Sequence, residues 1–212
     1  MTARTRIKFC GFTRQQDVQA ACALGADALG LVFYPPSSRA VSAEQAAQLV
    51  AVMAPFVTPA GLFVNPAAES VWSVLNVVPL DLLQFHGDED DAFCRQFGRP
   101  FIKGIRVHPD ADLVSLLAQW PSARGVLLDA WHPDQPGGTG LTFDWQRIPA
   151  GWRSKVILAG GLTPANVADA VRTVRPYAVD VSGGIESAKG IKDSDLMAAF
   201  VAAVQREDEA HD

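Results

Sequence analysis

The stretch from Ala178 to Gly184 reads AVDVSGG, a short strand-like run that passes directly into a serine and a glycine pair. The stretch from Lys155 to Gly161, KVILAGG, has the same design. Short apolar or β-branched runs of this kind recur along the whole chain, with starts about 20 to 30 residues apart. The runs are Arg6 to Cys10, Ala28 to Phe33, Thr58 to Val64, Leu80 to Phe85, Phe101 to Val107, Gly125 to Asp129, Lys155 to Ala159, and Ala178 to Val181.

Segments with helical signals separate these runs. Ser42 and Gln45 have capping-box spacing ahead of an apolar segment, and Thr163-Pro164 opens another. Because strand and helix alternate in eight units, the sequence predicts an α/β fold, a single-domain (β/α)8 TIM barrel. We expect the barrel to span residues 1–205 and residues 206–212 to form a flexible C-terminal tail.

An open doubly wound sheet is the competing fold, because it also alternates strands and helices. Its first strand-to-helix turn is expected to carry a glycine-rich dinucleotide fingerprint. In this chain that turn reads CGFTR, from Cys10 to Arg14, and no G-x-G-x-x-G or P-loop motif follows any of the runs. The barrel is therefore favoured.

Composition and charge narrow the class of protein. The chain has 212 residues, 49% of them hydrophobic, which is enough to bury a large core without a disulfide or metal. A net charge of −5 argues against a protein that binds nucleic acid mainly by neutralising its backbone. The three cysteines form no paired framework, and no apolar stretch reaches membrane-spanning length. We expect a cytoplasmic protein with no nucleic-acid or membrane partner and no metal.

Polar residues close four of the predicted strands, where a barrel carries its chemistry. Because side chains alternate along a strand, Lys8 shares one face with Cys10, and Asp180 shares one face with Ser182. If those faces point inward, a cysteine, a histidine and two aspartates meet at one mouth, and this is a set suited to acid–base chemistry. The four titratable residues are Cys10, His86, Asp129 and Asp180.

Two glycine pairs indicate an anion site. Gly160-Gly161 follows the seventh run and Gly183-Gly184 follows the eighth. Each pair precedes a helix-like segment whose backbone N–H groups can bind a phosphate, and barrels commonly bind phosphate at these two loops. A third glycine-rich stretch, Pro136 to Gly140, is a candidate lid or further phosphate contact.

Taken in order, these residues resemble the phosphoribosylanthranilate isomerase family of tryptophan biosynthesis. The resemblance spans nearly the full length of the chain. The matching segments are Lys8 to Thr13, Phe33 with Ser38-Arg39, Gly61 to Asn65, Gln84 to Gly87, Leu127 to Asp129, Gly137 to Trp145, Ala159 to Leu162, and Asp180 to Glu186.

The resemblance implies a cofactor-free Amadori rearrangement of a small phosphosugar substrate. By similarity, Asp129 is the general acid and Cys10 the general base, while Arg39 faces the anthranilate carboxylate. Asp180 and His86 are expected to line the ribose. The phosphate is expected at the loops of the glycine pairs, which are formed by Gly160, Gly161, Ser182, Gly183 and Gly184.

The protonation states impose conditions on these roles. A free thiol has a pKa of about 8.5 and is mostly protonated at neutral pH, so Cys10 needs a positive neighbour, for which Lys8 is a candidate. Asp129 must instead hold its proton, and burial with Asp180 nearby is expected to favour this. The chain departs from the family pattern at Leu141 and Gly183, and these changes bear on ligand affinity rather than on the acid or base.

Other functions stay open on the sequence alone. Another phosphosugar barrel enzyme, such as the histidine-pathway isomerase or indole-glycerol phosphate synthase, could share the phosphate loops, but the former is expected to have aspartate at the position of Cys10. A non-catalytic phosphate-binding barrel would need the glycines but not Cys10 and Asp129 together. The sequence leaves open whether the chain is a monomer or a homodimer, and whether it accepts a second phosphosugar.

Overall fold

In a computed structural model, which describes residues 4–130 and 143–210, eight parallel strands form a closed barrel in sequence order. This confirms the predicted (β/α)8 fold. The barrel strands are β1 (Arg6–Cys10), β2 (Ala28–Val32), β3 (Thr58–Phe63), β4 (Leu82–Phe85), β5 (Phe101–Val107), β6 (Gly125–Ala130), β7 (Val156–Leu158) and β8 (Ala178–Val181).

Helices follow most of the strands and cover the barrel. They are α1 (Gln15–Ala23), α2 (Ala43–Val50), α3 (Ala68–Leu75), α4 (Asp91–Arg95), α5 (Leu113–Ala118), α6 (Val167–Val174) and α7 (Ser194–Glu209). The Ser42 hydroxyl accepts a hydrogen bond from the Gln45 backbone N–H, and the Gln45 side chain accepts one from the Ser42 backbone N–H. This is the capping box expected from the sequence. A short hairpin of β9 (Glu186–Ala188) and β10 (Ile191–Lys192) lies between β8 and α7.

Strand register sorts the side chains into two layers. Lys8 pairs with Asp180 across β1 and β8, and their side chains meet, so the face that carries Cys10 and Ser182 is shared as predicted. The outward face packs against the helices, as Phe9 does against Phe200 of α7. A smaller apolar cluster is formed by inward-facing side chains and the neighbouring strand ends: Leu82, Ile102, Leu127, Ile157, Ala159 and Ala178.

The prediction of a loose tail from Arg206 is wrong for the part that the structure describes, because α7 continues to Glu209. Glu207 is buried and accepts two hydrogen bonds from Arg172 of α6, at 2.9 and 2.6 Å. Asp208 accepts bonds from both the backbone and the hydroxyl of Thr5. A charged tail looks solvent-exposed in sequence, but these long-range partners hold it as helix.

The connection between β6 and β7 also departs from a regular repeat. Its described part, from residue 143 onward, contains two 3-10 turns, Trp145–Arg147 and Ala150–Lys155, where the other connections have an α-helix.

Within the described ranges, no helix is long and apolar enough to cross a membrane.

We expect Phe85→Ala to lower the free energy of unfolding by about 3 to 5 kcal/mol. Phe85 is fully buried on β4 and contacts a cluster of aromatic rings that cannot close the cavity it leaves. Urea denaturation followed by tryptophan fluorescence measures the change. Phe56→Ala is the matched control, because the Phe56 side chain is 98% exposed and its loss should change stability by less than about 0.5 kcal/mol. Equal effects of the two substitutions would show that the ring cluster contributes nothing.

Candidate active site

A cavity of about 360 Å³ opens at the carboxyl ends of β6, β7 and β8. Two carboxyl groups and both glycine pairs face it, so the structure brings together most of the residues singled out in the sequence. The lining residues are Asp129, Ala159, Gly160, Gly161, Leu162, Thr163, Asp180, Val181, Ser182, Gly183 and Gly184.

Cys10 lies at the end of β1, buried at 5% exposure, beside the ion pair of Lys8 and Asp180. Lys8 Nζ is 2.6 Å from Asp180 Oδ1, and both side chains are almost completely buried. Burial raises the pKa of Cys10, as does the charge of Asp180, while the charges of Lys8 and Lys192 oppose the increase. Lys8 therefore acts on the thiol in the expected direction, but burial outweighs it and the pKa of Cys10 stays above its ordinary value.

The same ion pair changes the expected part of Asp180. Burial alone would lower the pKa of Lys8, but Asp180 and Cys10 together raise it above its ordinary value. Asp180 is therefore the partner of a charged lysine, and it does not face Asp129 as an uncompensated like charge.

The sequence reasoning missed Lys192 of β10. Its side chain is fully buried, and Nζ donates to the carbonyl of Cys10 at 2.6 Å and to Glu186 Oε1 at 2.8 Å. Burial lowers the pKa of Lys192, although Glu186 and Cys10 oppose this. No periodicity marks this lysine, and its position 182 residues after Cys10 gives no local signal of the contact.

Arg39, in the loop after β2, forms a bidentate pair with Glu186 of β9. Arg39 Nε is 2.7 Å from Oε1, and Nη2 is 2.6 Å from Oε2. The hydrogen bonds to Glu186 raise the pKa of Arg39. Burial alone would raise the pKa of Glu186, but its bonds to Arg39 and Lys192 hold it below its ordinary value. Arg39 thus lies beside Gly183 of the cavity lining, and two of its nitrogens bind the carboxylate of Glu186.

His86 and Asp129 lie on the opposite side of the mouth, at the ends of β4 and β6. His86 Nε2 is 3.4 Å from Asp129 Oδ2, and the geometry of that approach does not make a hydrogen bond. The amide of Gln84 lies 3.1 Å from His86 Nδ1. With the Gln84 nitrogen donating, Nε2 carries the ring proton and is a buried donor with no hydrogen-bond partner among the described residues.

Backbone geometry at the glycine pairs suits a bound anion. Gly160 and Gly161 both have positive φ, +83° and +63°, which lets the chain turn sharply at the end of β7. Gly184 packs so closely on Leu162 that an added side chain would overlap the Leu162 carbonyl. A 3-10 turn begins at Gly183, so its first N–H groups have no carbonyl within the turn.

The glycine-rich stretch Pro136 to Gly140 and the family departure at Leu141 lie outside the described residues. Among residues 4–130 and 143–210, no group of three His, Cys, Asp or Glu side chains is placed to hold a metal ion.

Comparison with known proteins gives one consistent result. A family model described as N-(5'-phosphoribosyl)anthranilate (PRA) isomerase matches residues 7–203. The chain is 57% identical over 201 residues to the N-(5'-phosphoribosyl)anthranilate isomerase of Nitrosococcus oceani, covering 95% of this chain and 98% of that protein. It is 55% identical over 207 residues to the enzyme of the same name from Dechloromonas aromatica, covering 98% and 99%.

Solved structures agree with the sequence relatives. The phosphoribosyl anthranilate isomerase of Thermotoga maritima superposes with a TM-score of 0.85 at 36% identity, covering 95% of this chain and 99% of that one. A second phosphoribosyl anthranilate isomerase structure, at a TM-score of 0.82 and 35% identity over the same shares, holds reduced 1-(o-carboxyphenylamino)-1-deoxyribulose 5-phosphate. Another from Thermotoga maritima is described as monomers generated from a dimeric enzyme.

Proposed function

Because this chain belongs to the N-(5'-phosphoribosyl)anthranilate isomerase family, we propose that Asp129 and Cys10 are the acid and base of the isomerisation that it catalyses. The reaction is the Amadori rearrangement of N-(5-phosphoribosyl)anthranilate to 1-(o-carboxyphenylamino)-1-deoxyribulose 5-phosphate, in tryptophan biosynthesis. One observation carries the assignment of residues. The carboxyl group of Asp129 lines the same cavity as both glycine pairs, and Asp180 links that cavity through Lys8 to the thiol of Cys10.

The mechanism needs one proton donated and one removed. Asp129 gives its proton to the furanose ring oxygen, the bond from C1′ to that oxygen breaks, and the nitrogen lone pair forms a Schiff base. The Cys10 thiolate then takes the proton from C2′, whose electron pair moves into the imine to leave an enolamine. Tautomerisation of the enolamine yields the ketone, so no redox step or cofactor is needed.

The substrate's two anionic groups fix its orientation across the mouth. The phosphate fits the backbone donors at Gly160, Gly161, Gly183 and Gly184, next to Ser182. The anthranilate carboxylate fits Arg39, because the pair with Glu186 uses Nε and Nη2 but not Nη1. The ribose then lies between Asp180 and His86, and Nε2 of His86, which makes no hydrogen bond within the described residues, is a donor for one of its oxygens.

A fluorescence assay tests this function. The anthranilate fluorescence of freshly generated N-(5-phosphoribosyl)anthranilate is followed after addition of purified protein. The product is identified by chromatography with mass detection. We expect turnover that saturates with substrate. Tight binding of the substrate without any conversion would identify a phosphate-binding barrel instead, and the absence of both would reject the proposal.

Gly184→Ala tests the phosphate site. The added methyl overlaps the Leu162 carbonyl, so the turn must move, and we expect KM and the inhibition constant of inorganic phosphate to rise about tenfold or more together. Gly183→Ala is the matched control, because its nearest neighbour would be Arg39 Nη2 at 3.5 Å, an ordinary contact. If both variants bind phosphate like the wild type, the phosphate lies elsewhere.

We also propose that the enzyme works in the cytoplasm. The three cysteines are free, and Cys10 can act as a base only when reduced, which a reducing compartment maintains. Fractionation of cells that express the tagged chain tests this proposal, and recovery of the protein outside the cytoplasmic fraction would contradict it.

A further inference from the structure

The hairpin after β8 carries a buried ammonium group that joins two ends of the active site. Lys192 Nζ donates to the carbonyl of Cys10 at 2.6 Å, to the carbonyl of Ser182 at 3.1 Å and to Glu186 Oε1 at 2.8 Å. A lysine ammonium has three donors, so these three oxygens satisfy it. Lys192 therefore ties the end of β1, which bears the thiol, to the end of β8, which begins the phosphate turn.

The carboxylate that holds Lys192 also holds Arg39. Glu186 Oε1 accepts from both cations, and its Oε2 accepts from Arg39 Nη2 at 2.6 Å. A bidentate pair fixes the plane of a guanidinium as well as its position. The orientation of Arg39 toward the substrate is thus coupled to the position of Lys192.

The backbone of the hairpin is itself fixed to the loop that follows β1. The amide of Lys192 donates to Asp17 Oδ2 at 3.0 Å, and the hydroxyl of Thr13 donates to the carbonyl of Gly190 at 2.6 Å. Because the backbone is held at both points, Lys192 cannot move away from Cys10 without breaking these bonds. Its placement is built into the fold.

The charges around the thiol leave room for one more anion. Three cations and two anions are grouped around Cys10, by direct interaction with its thiol or through a shared ion pair. They are Lys8 on β1, Arg39 after β2, Asp180 on β8, Glu186 on β9 and Lys192 on β10. The extra positive charge opposes the effect of burial on the thiol, and a thiolate or a bound carboxylate at the centre of the group would compensate it.

We propose that Lys192, held by Glu186, is a positioning residue of the isomerase that orients Cys10 and Arg39 together and favours the thiolate for removal of the C2′ proton. Nothing in this role requires Lys192 to touch the substrate. The inference rests on the proposed function for its effect on turnover, but its effect on the thiol exists without substrate.

Alkylation of Cys10 by iodoacetamide tests the effect on the thiol. The rate is measured against pH by peptide mapping, in the wild type and in Lys192→Met. Loss of the ammonium should raise the pH midpoint of Cys10 alkylation by about one unit, which slows the reaction about tenfold near neutral pH. Lys189→Met is the matched control, because Lys189 is an exposed lysine of the same hairpin, and it should leave the midpoint unchanged.

Steady-state kinetics test the coupling to turnover. Lys192→Met should lower kcat about tenfold and move the acidic limb of the kcat/KM profile to higher pH, in step with the alkylation midpoint. Glu186→Gln should raise KM by about fivefold or more, because Arg39 loses its anchor. Lys192→Arg keeps the charge and should retain the wild-type midpoint.

The outcomes separate this inference from its alternatives. A uniform fall in activity with unchanged midpoints in both assays overturns it, because that is the behaviour of a purely structural lysine. If Lys192→Met does not fold, Glu186→Gln decides, and an unchanged KM overturns the coupling to Arg39. If the wild type shows no turnover, the proposed function fails, and the alkylation midpoint alone decides whether Lys192 controls the thiol.

Discussion

Asp129→Asn should lower kcat by about 10² to 10⁴-fold and leave KM within a few-fold of the wild type. Asparagine has nearly the same shape and can still accept a hydrogen bond, but its amide cannot deliver a proton to the ring oxygen. Because the shape of the side chain and its hydrogen-bond acceptor are retained, substrate binding should persist while ring opening slows. The anthranilate fluorescence assay measures both constants.

A matched control for this substitution is available at the same mouth. The side chain of Asp88 follows β4 and is 83% exposed, so Asp88→Asn changes one charge there without reaching the cavity. We expect it to change kcat less than twofold. Near-normal turnover of Asp129→Asn would remove Asp129 from the acid role, and an equal loss in both variants would indicate a general electrostatic effect.

Cys10→Ala should abolish removal of the C2′ proton and lower kcat by a similar factor of about 10² to 10⁴. Alanine removes the sulfur and so leaves the site without this base, while the hydrogen bond between Lys8 and Asp180 does not involve the sulfur. Because ring opening precedes the step that Cys10 performs, single-turnover experiments should show the Schiff base accumulating. Rapid-mixing absorbance detects such an intermediate.

Two comparisons sharpen the result for Cys10. Cys22→Ala removes a partly exposed thiol of α1, away from the mouth, and should retain wild-type kinetics. Cys94 is unsuited as a base because burial raises its pKa to about 12. If Cys10→Ala turns over substrate at a wild-type rate, the base is another group, and the role of Lys192 in catalysis is lost with it. The double variant with Asp129→Asn should lose less than the product of the two single losses.

The sequence predicted some strands to the residue and misjudged other elements. The runs at Arg6 to Cys10, Phe101 to Val107 and Ala178 to Val181 match the observed bounds. Such strands are buried on both faces in a parallel barrel, so their apolar runs are continuous and their limits are sharp. The predicted run from Leu80 to Phe85 starts two residues too early, because β4 begins at Leu82. Leu80 is buried although it lies outside the strand, and the sequence does not distinguish such a residue from a strand residue.

The candidate site divides in the same way. Residues that end a strand, such as Cys10, Asp129 and Asp180, could be found because strand position alone predicts that they reach the mouth. The partners of those residues could not be found. The sequence places Lys8 beside Cys10, but the pairing of Lys8 with Asp180, 172 positions away, depends on the register between β1 and β8 that closes the barrel.

The sequence by itself determined the barrel and predicted the mouth and its two glycine-pair loops, because these follow from local periodicity and from residues next to a strand end, whereas the proposed acid and base came from the resemblance to the family. Only the tertiary structure decided the electrostatics. Glu186 approaches Arg39 from 147 positions away, and Lys192 approaches Cys10 from 182. Burial and charge at a thiol depend on which distant side chains the closed barrel brings within a few ångströms, and no local pattern encodes that distance.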